Sequence, residues 1–338
     1  MAAKFLLLSL LFLKLLIFSD AQSVGVCNGR VGNNLPSPQD VVNLYQRSGI
    51  TRMRIYGPDP ATLRALGGTN IELILDVPNN DLESLAGGGA KNWVQNNILN
   101  YPRVNFRYIS VGNEVDPNNN ENRRFTRFVL PAMRNVQQAL QDARRTQIKV
   151  STATYTGLLK TSYPPSQGVF HDNVIGYIQP IITFLAENNS PMLANIYPYF
   201  AYDGTNPKLK LSYALFTNPS IEFNDNGRDY SNLFDAMYDA HYAAQARLGG
   251  ANVPIVVSES GWPSAGGTDG TTLEIAGTYY RNLIAHVKSA KGTPLRPGRS
   301  IETYLFAMFD ENDKRGKESE KHFGVFYPNQ RSKYNLRF

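Results

Sequence analysis

The sequence predicts an α/β fold, a single (β/α)₈ barrel with a small insertion after its sixth strand. Three observations carry this. Eight short apolar runs recur along 338 residues, helical sequence separates most of them, and no linker divides the chain. The runs are Ser23–Asn28, Met53–Tyr56, Ile71–Val77, Tyr108–Glu114, Ile148–Thr154, Met192–Tyr197, Pro254–Glu259 and Thr303–Phe309. Several are nearly continuous, as in Ile255-Val256-Val257. Strands of a parallel sheet read this way because both of their faces are buried.

The connecting segments carry helix signals. Ser37-Pro38-Gln39-Asp40 combines a capping Ser with a first-turn Pro, and Val41, Leu44 and Tyr45 follow at helical spacing. Longer amphipathic helices are expected over residues 123–145, 174–187, 230–248 and 273–288. Gly87-Gly88-Gly89 reads as a flexible connector. It lacks the Gly-Lys-Ser/Thr ending of a phosphate loop. No glycine-rich nucleotide turn follows the first strand, which argues against a doubly wound open sheet. Residues 199–226, rich in Tyr, Asn, Pro and Asp, form the expected insertion on the binding face.

The first residues are expected to lie outside the fold. Lys4 precedes an apolar run from Phe5 to Phe18, and Ser19-Asp20-Ala21 ends it with small residues. This is the pattern of a signal peptide over 1–21, with the folded domain over 22–338 and secretion expected. The run is too short, and too interrupted by Lys14, for a membrane anchor. Cys27 has no partner cysteine and is expected to be a small buried hydrophobe. One cysteine and four scattered histidines make no spaced metal set, so neither metal nor organic cofactor is expected. The net charge of +6 is mild, without the dense basic stripe or module of a nucleic-acid binder. It suits encounter with anionic wall polymers. A monomer without stable membrane association is expected, with Asn188 in the one acceptor motif noted for N-glycosylation.

Two strands end alike. Tyr108-Ile109-Ser110-Val111-Gly112 runs into Asn113-Glu114, and Ile255-Val256-Val257-Ser258 runs into Glu259. In a barrel, the carboxyl ends of the strands face the catalytic mouth. Burying a carboxylate costs several kcal/mol unless it is paired, so two such glutamates ask for a functional reason. One structural alternative is that each only accepts loop hydrogen bonds. The pair fits glycosidic bond cleavage, which needs one carboxylic acid for the leaving oxygen and one carboxylate for the anomeric carbon or a water. Asn113 could hold a sugar 2-hydroxyl. Tyr56, Tyr197, Tyr199, Phe200, Trp262 and Phe309 lie at or after strand ends, where aromatic faces can stack on sugar rings.

The segments Val111-Gly112-Asn113-Glu114-Val115, Ser258-Glu259-Ser260-Gly261-Trp262-Pro263-Ser264, Tyr197-Pro198-Tyr199-Phe200, Phe306-Ala307-Met308-Phe309-Asp310-Glu311-Asn312 and the stretch from His322 to Asn329 make the chain recognisable. It resembles the plant β-1,3-glucanases of glycoside hydrolase family 17 over nearly all of Ser23–Phe338. The resemblance implies a retaining endo-hydrolase of β-1,3-glucan, such as callose or fungal wall glucan, acting in the apoplast, with a role in plant defence. It implies Glu114 as proton donor and base, Glu259 as nucleophile, and Glu311, Lys314 and Glu320 along the cleft. Lys314 is then expected to help keep Glu259 ionised, and the two carboxyls to stand about 5–5.5 Å apart. Asn28, Gly57 and Tyr155 stand where the family usually has Tyr, Asp and Asp. Two alternatives stay open: a mixed-linkage β-1,3/1,4-glucanase, and a glucan-binding protein with little or no catalysis.

Overall fold

The computed structural model describes residues 24–202, 209–267 and 270–338. The expected leader at 1–21 and part of the expected insertion lie outside the described residues. The eight apolar runs become eight parallel strands: β1 (Gly25–Cys27), β2 (Arg52–Ile55), β3 (Glu72–Val77), β4 (Asn105–Asn113), β5 (Lys149–Tyr155), β6 (Met192–Asn195), β7 (Ile255–Ser260) and β8 (Thr303–Phe306). Each pairs with its sequence neighbours, and β1 closes the barrel on β8 through Gly25–Tyr304, Val26–Leu305 and Cys27–Phe306. Closure leaves no free edge.

Helices α1 (Pro38–Arg47), α2 (Pro60–Leu66), α3 (Thr126–Asp142), α4 (Asp172–Glu187), α5 (Leu233–Arg247) and α6 (Leu273–Lys288) cover the barrel. Their starts follow capping chemistry. Ser37, Asp59, Asn232 and Thr272 each accept a first-turn backbone N–H, and Pro38 and Pro60 occupy positions where no N–H is needed. Asn232 explains why α5 begins at Leu233 rather than at Tyr230, which pairs in a hairpin instead. The glycine triplet is not a loose connector. Gly87 to Gly89 lie inside a helical stretch that runs from Leu82 to Leu99, kinked at Gly88 with φ of 108°. Asn135 of α3 holds the kink by donating to the carbonyls of Leu85 and Ala86. A Gly at positive φ absorbs the kink without a Cβ penalty.

Two departures from simple alternation build the mouth. Between β6 and α5 stand two short helices, Pro198–Tyr202 and Leu211–Ala214, and a hairpin of Phe223–Asp225 with Arg228–Tyr230. They are the expected insertion, with residues 203–208 not described. After β8, the described residues form no long helix. The segment folds back over the mouth, pairing Phe309 with Phe326 and Phe326 with Ser332, and carries a short turn at Glu318–Lys321. This brings Glu311, Lys314 and Glu320 to the cleft. No helix among the described residues is long and apolar enough to cross a membrane. Cys27 is buried, as expected, and its thiol donates to the Ser258 carbonyl at 3.3 Å. Burial pushes that thiol far up, which removes its nucleophilicity.

Candidate active site

Both glutamates leave their strands at irregularities. The β4–β5 register shifts between Ser110 and Asn113, and the β7–β6 register shifts between Val257 and Glu259. An extra residue in one strand re-aims the side chains that follow it. At β4 the turn is sharp. Gly112 has φ of 83° and Glu114 itself sits at φ of 50°, a conformation that costs a residue with a Cβ about 1 kcal/mol or more. Asn79 clamps this turn on both sides of Asn113, accepting from its N–H at 2.9 Å and donating to its carbonyl at 2.9 Å. Asn122 donates to the Glu114 carbonyl.

The two carboxyl groups have contrasting surroundings. Glu259, only 6% exposed, is saturated with donors. Arg54 and the Tyr56 hydroxyl both donate to Oε1 at 2.8 Å, and the Tyr197 hydroxyl donates to Oε2 at 2.6 Å. All three donors point at the carboxyl oxygens from other strands or from just past their ends. Glu114 accepts one described bond, from Asn195 Nδ2 at 2.8 Å. Burial, and then the charge of Glu259, push its carboxyl up to about 7, against weaker opposite pulls from Asn195 and Arg54. The two carboxyls thus differ in surroundings, one among three donors and the other desolvated with one.

Arg54 organises the floor. It is 0% exposed. It makes two bonds to Asp76, at 2.7 and 3.2 Å, and also donates to Glu259, Asn113 and Asn195. Asn195 joins both sides, donating to Glu114 and Asn113 and accepting from Ser258. Arg54, Asp76 and Asn195 are the residues that sequence reasoning missed. Their signal was available: each is a polar group inside a barrel strand, which burial obliges to find partners.

Other expectations are redistributed. The cation on Glu259 is Arg54, not Lys314. Lys314 lies 3.6 Å from Glu311 and 3.9 Å from Glu320, with its ammonium over the Phe306 ring. Glu311 also accepts from the Val31 N–H at 2.8 Å. A Cβ at Gly29 would run into that carboxylate, so Gly29 is needed for the close approach. Tyr56, Asn113, Tyr197, Phe200, Glu311, Lys314 and Glu320 all line the cleft beside the glutamates. Trp262 and Phe309 do not. Trp262 is wholly buried, its ring against Tyr199 and Tyr279 and its N–H on the Gly270 carbonyl. Phe309 is core beneath the C-terminal segment. Tyr199 is buried as well. Phe306, where β8 ends, and Phe323 take their place in the cleft wall.

The cleft has two arms that meet at Glu114, Tyr197 and Phe200. The first, about 540 Å³, contains both glutamates. The second, about 900 Å³, contains Glu114 but not Glu259, and runs under the insertion past Tyr155, Tyr163 and Phe223. The Tyr213 hydroxyl borders this second arm without a hydrogen-bond partner. Of the three unusual positions, Asn28 lines the first arm and Tyr155 the second. The Tyr155 hydroxyl donates to Asp116 at 2.6 Å. Gly57 lies outside both arms and packs on Pro78, which a Cβ would approach to 3.0 Å.

The model of the glycosyl hydrolases family 17 matches residues 24–338. A glucan endo-1,3-beta-glucosidase of Vitis vinifera is 59% identical over 94% of this chain and 92% of its own length. One of Solanum lycopersicum is 56% identical over 98% of each chain. The solved structure of a beta-1,3-glucanase and allergen of Cryptomeria japonica pollen superposes with a TM-score of 0.90 at 48% identity, covering 94% of this chain and 99% of that one. A structure from a study of two plant beta-glucan endohydrolases with distinct substrate specificities gives 0.88 at 43% identity, over 93% and 100%. A closed barrel carrying two glutamates at one mouth, and a family match from end to end of the described chain, agree: the chain belongs to glycosyl hydrolases family 17 and is a glycoside hydrolase.

Proposed function

We propose that the enzyme is a secreted, retaining endo-β-1,3-glucanase of the cell wall space. The observation that carries the endo reading is the junction of two cleft arms at Glu114, with Glu259 in the first arm beside it. A chain that fills both arms presents an internal bond to Glu114 and Glu259. The linkage reading draws on the relatives, whose names specify 1,3-β-glucan. Secretion rests on the leader pattern at 1–21.

The chemistry follows from the two carboxyls. Glu114, protonated, gives its proton to the glycosidic oxygen as the bond to the anomeric carbon breaks. Glu259 attacks that carbon and forms a glycosyl ester. Its charge then disappears, Glu114 becomes more acidic, and as a carboxylate it takes a proton from water. The water attacks the anomeric carbon and Glu259 leaves. Since Glu259 borders only the first arm, that arm holds the sugar that becomes the ester. The second arm holds the leaving chain.

Glu114→Ala tests the assignment. A general acid contributes about 10²–10⁴ in rate, and most where the leaving group is a sugar hydroxyl. The variant is expected to lose that factor on β-1,3-glucan yet still form the glycosyl-enzyme from a dinitrophenyl glycoside, whose leaving group needs no proton. In the wild type, kcat/KM is expected to fall as pH rises through about 7, where Glu114 loses its proton. The variant's first step loses that alkaline limb. Equal loss on both substrates, with the fold intact, refutes Glu114 as acid.

Tyr155 tests the second arm. Tyr155→Phe keeps the ring that walls the arm and is expected to leave the oligosaccharide products unchanged. Tyr155→Asp removes the ring and sets a second carboxylate towards Asp116, so product lengths are expected to shift. Identical product profiles for wild type and Tyr155→Asp would remove Tyr155 from the binding surface.

A further inference from the structure

Away from the catalytic cleft, two hollows run along the outer side of α5 and under the amino-terminal ends of the barrel strands. They measure about 580 and 470 Å³ and share Tyr242, Arg296 and Arg299. Arg107, at one end, is paired with Glu72 and Glu302; no carboxylate ion pair is described for Arg228, Arg247, Arg296, Arg299 or Lys149. The side chains of Arg228 and Arg299 make no described hydrogen bond. Arg247 donates to the Gly168 and Ser166 carbonyls, and Lys149 to the Asn188 carbonyl. Arg296 stacks its guanidinium 4.0 Å from the centre of the Tyr242 ring and donates to the Ala251 carbonyl.

The carboxylates of the same hollows are turned inward and occupied. Asp225 accepts from the Ser166 N–H and hydroxyl, both at 2.7 Å. Asp239 accepts from Thr293, Leu295 and Tyr230. Glu302 is held by both ends of Arg107. The free valences along this groove are thus guanidinium N–H groups, over a floor that includes Tyr242. A guanidinium fork matches a carboxylate in two parallel bonds, which a lone ammonium does not. Several forks along one elongated groove match a polymer that repeats its carboxylates.

We propose that this groove is a second carbohydrate site, which binds acidic polysaccharide of the polyuronate class and tethers the enzyme to it while the catalytic cleft stays free. The neutral polymer at the cleft and the charged one at the groove are then held on different faces of one barrel. The basic net charge of +6 favours the same encounter.

The test uses the full folded enzyme and polygalacturonate of defined length. In affinity electrophoresis at low salt, wild type is expected to be retarded, and the retardation to fade as salt screens the contacts. Arg228→Ala/Arg299→Ala is expected to bind about tenfold more weakly, the equivalent of about 1.4 kcal/mol. Its hydrolysis of a short soluble β-glucan is expected to be unchanged, which separates this site from the catalytic reading. Arg299→Glu, a single change at an exposed position, is expected to give the same loss should the double variant fold poorly. Three results would overturn the proposal. One is equal retardation of variants and wild type. Another is competitive inhibition of glucan hydrolysis by polygalacturonate, which places the polymer in the cleft. The third is equal or tighter binding of dextran sulfate, which reduces the groove to unspecific charge.

Discussion

Glu259→Ala is expected to lower turnover of β-1,3-glucan by about 10⁴-fold or more, because it removes the carboxylate that forms the glycosyl ester in the proposed reaction. The change also leaves a cavity lined by Arg54, Tyr56 and Tyr197, the three donors that now hold the anion. A small anion fits there. Added azide is expected to restore cleavage of an activated β-glycoside and to give an α-glycosyl azide, since azide enters where the carboxylate stood. Product anomer analysis decides the matter. A β-azide, or near-normal hydrolysis by the variant, would remove Glu259 from the nucleophile's role and with it the retaining reading. The variant also reports on Glu114. With the Glu259 charge gone, part of what lifts the Glu114 carboxyl is gone as well. Its titration is expected below that of the wild type, not above.

Arg54→Met is expected to damage stability and activity together. Removing the cation leaves Asp76 and Glu259 buried without their shared partner, and breaking a buried ion pair costs about 3–5 kcal/mol. That is a large share of a typical domain's stability, so urea unfolding should register it plainly. A second change separates the two losses. In Arg54→Met/Asp76→Leu the uncompensated Asp76 is removed too, and the double variant is expected to recover much of the stability. It is not expected to recover activity, because Glu259, Asn113 and Asn195 still lack the guanidinium that places them. Recovery of both would show Arg54 to be structural only. Arg54→Lys keeps the charge but cannot divide itself among four partners, and is expected to fold while turning over slowly.

The architecture was legible because it rests on periodicity. Continuous apolar runs such as Leu73-Ile74-Leu75 and Ile255-Val256-Val257 can only be satisfied between two layers, and the helix starts at Ser37 and Thr272 are written in local capping chemistry. The two glutamates were legible for a related reason. A carboxylate at the end of a buried strand has few neutral explanations, and chain position alone places it at the mouth. Misreadings fell where direction or partners matter. Trp262 and Phe309 sit in the right motifs, but the side chains turn into the core, and the cleft wall is made by Phe306 and Phe323 instead. Gly87 to Gly89 read as a break, yet packing under Asn135 keeps them helical with one kink.

What the sequence alone determined, then, was the barrel, the eight strands that close it, and the pair Glu114 and Glu259 at its mouth. All of these depend on patterns within a few residues of chain. What only the tertiary structure decided was the contrast between the surroundings of the two carboxyls. That comes from Arg54 on β2, Asn195 on β6 and the Tyr56 and Tyr197 hydroxyls, brought within hydrogen-bond reach from as far as 205 positions away. Charge and desolvation act through space, and barrel closure is what turns a long separation in sequence into a contact of 2.8 Å.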